Sequence, residues 1–197
     1  MMSAARLHTF ARDARGATLV EFAFVVPVLC VLFVGVLELG YRAYAAAVVQ
    51  GALLEAARMA TVGGMTQAQI DTRVRARLGH FGRRSTVQID SRNYQEYSDI
   101  RSGEPLITDT APLNQVNSGD CWRDYVVNGS HDTSFAGRAG LGGAEDVVRY
   151  EITLTYSRIL PAANLFGWSD NETIRMNTML RNQPFAGRTM VPIACMP

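Results

Sequence analysis

Two kinds of chemistry are written into the residue types and spacings of this chain. The first centres on Glu21. The run Arg15-Gly16-Ala17-Thr18-Leu19-Val20-Glu21-Phe22 opens straight into an apolar stretch whose next charge is Glu38. A charge in hydrocarbon costs roughly 2.5–3.5 kcal/mol on insertion scales, and a buried carboxylate is tolerable when paired. Hydrolysis of the bond between Gly16 and Ala17 would create a partner, a free ammonium on Ala17, in the same chain or a neighbour's. The second is thiol chemistry. Cys121 and Cys195 both follow the apolar stretch, and in an oxidising compartment their pairing is expected. The bridge would close a loop of about 75 residues, stabilising by roughly 4 kcal/mol through chain entropy. Cys30 lies inside the apolar run and reads as a small apolar side chain.

Catalytic signals are thin. His131-Asp132-Thr133-Ser134 contains a base and a hydroxyl, but a triad is defined by geometry and not by closeness in sequence. Gly137–Gly143 has no lysine and no strand–helix frame, so it reads as a flexible loop and not as a phosphate cradle. There are no paired histidines and no metal-ligand spacing. An enzyme, a cofactor, a metal and a small-molecule substrate are therefore not expected.

The element that must position Glu21 is a long helix. Spanning a bilayer takes about 20 apolar residues, and 17–39 meets that length with Glu21 and Glu38 as its only charges. Arg6, His8, Arg12 and Arg15 precede it, which keeps the amino terminus cytoplasmic and exports the remainder. Three readings compete. The segment is an uncleaved single-pass anchor, a secretory signal cut near Ala43-Tyr44-Ala45, or a helix cut at Gly16. Only the last gives Glu21 a partner, and it is preferred. Helix formers continue to Val62, with Leu39, Ala43, Ala46, Leu53, Ala57 and Ala60 as one apolar face. Ala43, Ala47 and Gly51 form a small-residue ridge suited to close helix approach. Pro27 removes one backbone hydrogen bond and is expected to loosen the helix. The Gly63-Gly64 pair ends it.

A shorter helix is expected over Thr66–Leu78, capped by Thr66, with Ile70, Val74 and Leu78 inward. Its arginines 73, 75 and 77, with Arg83 and Arg84, read as a solvated face; contact with an acidic partner is the sharper alternative. Strands are expected at Thr86–Asp90, Val147–Tyr156 and Glu172–Leu180, the last two joined by a segment containing Pro161 and Gly167. The fold class is α+β, with about three antiparallel strands packed on the exported half of the long helix. Residues 91–145 show little periodicity beyond Trp122–Val127 and read as a long recognition loop. The organisation is thus a leader over 1–16, a membrane and packing helix over 17–62, and a head over 63–197. The net charge of +1, with all 19 cations arginine, leaves no basic stripe for nucleic acid.

The Gly16–Phe22 motif, Pro27 and the Ala/Arg-rich continuation to Thr61 resemble the TadE-like pseudopilins of tight-adherence (Tad or Flp-type) pilus systems. Met179-Leu180-Arg181-Asn182-Gln183-Pro184-Phe185 resembles the closing strand of that family. The chain departs from it with Phe22 where tyrosine is usual and Gln183 where glutamate is frequent. The resemblance implies an inner-membrane pseudopilin with a periplasmic head, acting as a minor subunit in pilus assembly. It implies a prepilin peptidase as processing enzyme, and other pilin or pseudopilin subunits and the Tad assembly platform as partners.

Overall fold

The computed structural model describes residues 15–197, apart from 83, 102, 160–166, 168, 185 and 186. The expected leader up to residue 14, Arg83, Pro161 and Phe185 lie outside the described residues. The chain is α+β, as the sequence predicts. Helix α1, Arg15–Val62, runs for 48 residues through Pro27 without a break. It stops where Gly63 and Gly64 take φ of 75° and 82°, a left-handed geometry that glycine adopts without penalty. Helix α2, Gln67–Leu78, begins with a complete capping box. Thr66 Oγ1 accepts the Gln69 N–H while Gln69 Oε1 accepts the Thr66 N–H.

Two compact units share the chain. The first comprises the residues up to Tyr44 together with Arg158–Asp170; the second comprises Ala45–Ser157 and Asn171–Pro197. The second unit therefore starts inside α1, and not at the glycines after it.

Among the described residues, seven strands follow α2: β1 Thr86–Tyr94, β2 Leu106–Thr108, β3 Cys121–Arg123, β4 Arg138–Ala139, β5 Val147–Ser157, β6 Asn171–Arg181 and β7 Ile193–Cys195. They form one sheet in the order β4-β1-β5-β6 and a second in the order β2-β3-β7, with every pairing antiparallel. Alternation along β5 buries Val148, Tyr150, Ile152, Leu154 and Tyr156 almost completely. Ile70, Val74 and Leu78 of α2 are equally buried, and so is a helical stripe of Ala45, Val49, Ala52, Leu53, Ala56 and Ala60. Of the face expected from sequence, only Leu53 and Ala60 lie on this stripe; Leu39 and Ala43 are exposed, and Ala46 and Ala57 are half-buried. The helix is turned because alanine fills every side of it, so a face drawn from alanines has no defined phase.

The segment 91–145 is not a bare loop. It holds the end of β1 and all of β2, β3 and β4, and its turns are held by buried carboxylates that accept backbone N–H groups. Asp120 accepts from Thr110 and Asn117, both at 2.7 Å. Asp124 accepts from Asn128 and Gly129, and Glu104 from Val126 and Asp132. Each such bond satisfies a donor that a packed loop would otherwise strand. Gly137–Gly143 is likewise pinned and not flexible. The Asn93 amide donates to the carbonyls of Arg138 and Gly140, both at 3.1 Å. Gly142 (φ +67°) sits where a Cβ would lie 2.9 Å from Asn93 Cβ.

Candidate functional site

Gly16, Glu21 and Phe22 lie on consecutive turns at the start of α1, and all three are exposed. Ala17 precedes Glu21 by four residues, about one turn of helix. Among the described residues, no hydrogen bond or ion pair engages Glu21. Leu19, Val20, Phe22, Phe24, Leu32 and Val36 are all more than half exposed, and at about 100° per residue they point to every side of the helix. An all-round apolar helix that its own chain leaves uncovered needs a membrane or other helices around it. By length and composition, Thr18–Val62 can cross a membrane. Ala43 and Ala47 of the small-residue ridge are exposed as well. Gly51 serves a contact inside the chain, because a Cβ there would come 3.3 Å from the Arg77 guanidinium.

Glu38, at the far end of the apolar run, has the opposite surroundings. It is only 7% exposed. One carboxylate oxygen accepts the Ile159 N–H at 3.0 Å, and the other lies 3.5 Å from Arg158 Nη1. Glu21 and Glu38 are about 25 Å apart along the helix at 1.5 Å per residue, close to the hydrocarbon thickness of a bilayer. Sequence reasoning used Glu38 only as the end of the apolar run. Its tie to Arg158 was missed because the partner lies 120 residues away, just past the end of β5.

Both carboxylates lie within the stretch that carries a recognisable family signature. Residues 16–58 match the TadE-like protein family. The matched stretch is about a fifth of the chain and lies wholly within α1. By length and composition, the long apolar helix fits a single-pass membrane anchor. The match ends within α1, so the closing-strand likeness over 179–185 lies outside it. No curated protein and no solved structure matches the chain.

The remaining candidates, Cys30 apart, sit in the second unit. Cys121 and Cys195 are bonded and lie directly opposite each other in the β3–β7 pairing. The bond therefore staples the tail to the middle of the segment 91–145. Cys30 is free and exposed. Next to the staple, Arg123 donates to the buried Asp99 at 2.6 Å and pairs with Glu96 at 3.0 Å. The Tyr125 hydroxyl donates to Asp99 at 2.7 Å and accepts the Gln95 N–H at 2.6 Å. Burial first, and then the Asp99 carboxylate, push that phenol well above its ordinary value.

The arrangement does not assemble a nucleophile and a base. His131 Nε2 is hydrogen-bonded to the Glu104 carbonyl at 2.8 Å, while Ser134 donates to Asp132 at 2.7 Å. Those Ser134 bonds hold the Asp132 carboxyl below the usual range. No group of side chains suited to a metal ion occurs among the described residues. The α2 arginines are engaged within the chain as well. Arg75 donates to the Val87 carbonyl at 2.7 Å, and Arg77 pairs with Glu55.

Proposed function

We propose that this chain is a membrane-anchored pseudopilin, a minor subunit that takes part in assembling Tad-type adhesive pili through its amino-terminal helix. The observation that carries the reading is the coincidence of the family match with an apolar helix that the chain itself leaves bare. Such a helix rests in the inner membrane with its head in the periplasm, then exchanges lipid for the helices of neighbouring subunits. Small residues at Ala43 and Ala47 favour close packing. Glu21, which has no partner among the described residues, sets the register by pairing with an Ala17 ammonium.

A prepilin peptidase supplies that ammonium by cutting after Gly16. The bond lies within the first helical turn, so cleavage requires that turn to open. Glycine lowers the expense, being about 1 kcal/mol less favourable than alanine in a helix. Mass spectrometry of the chain from piliated cells should place the mature amino terminus at Ala17. Glu21→Gln should leave membrane insertion intact and abolish piliation. An intact leader, or normal pili in the Glu21→Gln strain, would overturn the mechanism.

A further inference from the structure

The outer face of the larger sheet carries a charge arrangement that its own ion pairs leave with a positive excess. Alternation along the strands places Asp90, Arg92 and Tyr94 of β1 on this face, together with Arg149 and Glu151 of β5 and Arg175 and Met179 of β6. Arg92 is paired directly with Arg149, and Asp90 directly with Glu151. Like charges opposite one another destabilise an antiparallel pair. The acidic row is well supplied: Glu151 receives Arg175 at 2.5 Å and Arg149 at 3.4 Å, and Asp90 receives Arg92 at 3.1 Å. In the basic row, Arg92 and Arg149 are engaged by these same two acids. Arg149 has a buried Nε with no hydrogen-bond partner among the described residues.

A cavity of about 310 Å³ opens over this basic row. Arg92, Arg149 and Arg101 line it against a single acid, Asp90, with Tyr94 and Ile100 as its apolar wall. Among the described residues, the Arg101 side chain makes one hydrogen bond, a 3.4 Å contact with the Leu106 carbonyl, and the residue is exposed. Gly137 (φ +93°) brings the next loop hard against the wall, because a Cβ there would come 2.6 Å from the Tyr94 ring and 2.9 Å from Arg92 Cβ. The cavity is thus built by close packing and bears an excess of two positive charges (three arginines against one aspartate). Along the same row, Met179 is 49% exposed.

We propose that this cavity takes an acidic side chain, aspartate or glutamate, from the head of a neighbouring pilin-type subunit. The proposal rests on the pseudopilin reading for the class of partner. The charge excess calls for an anion, and guanidinium groups bind carboxylates through directional, charge-assisted bonds. Arginine and tyrosine lining the cavity, with Met179 beside Arg149 on the same face, have the composition of a protein–protein interface core. The volume admits one side chain, and Asp90 on the wall disfavours an anion of higher charge such as phosphate.

The test uses the full chain in piliated cells, with the photoreactive residue benzoylphenylalanine at Met179 and, in a separate strain, at Leu39 on the exposed helix. Irradiation should join Met179 to another pilin-type subunit, at a peptide carrying aspartate or glutamate. Arg101→Glu should reduce that adduct about tenfold, and reversing the mapped acid to arginine should restore it. Arg92→Gln should act in the same direction as Arg101→Glu, with protease resistance of the head verifying the fold. Adducts that ignore the arginine substitutions, that form only with this same chain, or that form only at Leu39 would overturn the proposal. Loss of adducts at Leu39 as well would instead strike the pseudopilin reading itself.

Discussion

Replacing Glu38 should release the segment that follows β5 from the helix, and the size of the effect can be worked from two bonds. The Ile159 N–H to carboxylate bond is 3.0 Å and is held by a residue only 7% exposed. A hydrogen bond to a charged group contributes about 1.5–3 kcal/mol, and an unmet buried donor costs about 1–3 kcal/mol. The Arg158 contact at 3.5 Å is long and adds little, about 0–1 kcal/mol. Glu38→Ala should therefore destabilise this tie by about 2–3 kcal/mol, without changing the helix content of the chain. At 1.36 kcal/mol per decade, the Ile159 amide should exchange with solvent about 30- to 150-fold faster. Glu38→Gln keeps an acceptor for the N–H and loses only the charge, so about tenfold is expected. Hydrogen exchange on the full chain in detergent micelles, with tryptic cleavage after Arg158 as a second readout, measures both. Unchanged exchange at Ile159 in the alanine variant would refute the reasoning. Equal damage from glutamine and alanine would show that the ion pair, and not the N–H bond, carries the contact.

The Cys121–Cys195 staple should contribute about 4 kcal/mol through the entropy of a long closed loop. Serine at both positions should lower the urea midpoint accordingly, and a shift corresponding to under about 1 kcal/mol would contradict the estimate. Acid should weaken the head through Asp120 and Asp132, whose carboxyls are held below the usual value of 3.8 by Thr110 and Ser134 respectively. A carboxyl lowered in the folded state stabilises above its unfolded value and loses that contribution as pH falls through the folded one. Urea midpoints should thus be level above about pH 5 and fall below it, with a shallower fall in Asp120→Asn. An identical slope in that variant would exclude Asp120 from the acid transition.

What could be read from the sequence depended on whether the cause was local. The glycine stop of α1, the Thr66 cap and the alternation of β5 are written within a few residues of where they act, and all were legible. The packing phase of α1 was not, because Ala45, Ala52, Ala56 and Ala60 are inside while Ala43 and Ala47 are outside; small side chains carry no signal of direction. Strand β1 reads as ending at Asp90, because Ser91 and Asn93 point inward where an apolar residue is expected. Both are buried, and Asn93 holds the Arg138–Gly140 turn. Strands of two or three residues such as β4 and β7 have no periodicity to detect. The loops between them are fixed by carboxylates whose partners lie up to 28 residues away. The basic cavity was hidden for the same reason, since Arg92, Arg101 and Arg149 meet only once the sheet is formed.

The two glutamates that bound the apolar run show why charge alone is a poor guide to role. In sequence, Glu21 and Glu38 are equivalent: each is a carboxylate at one edge of a membrane-length stretch. In the fold, Glu38 is answered by Arg158 and the Ile159 N–H of its own chain, so its function is to hold that chain together. Glu21 is exposed and is answered by nothing among the described residues. Burying it in lipid or in a helix bundle without a partner would cost several kcal/mol, and the proposed pseudopilin reading supplies that partner from processing, from a neighbour, or from both. The difference also separates the outcomes of substitution. Changes at Glu38 should be read in the exchange and proteolysis of the isolated chain, whereas changes at Glu21 should be silent there and appear only on assembly.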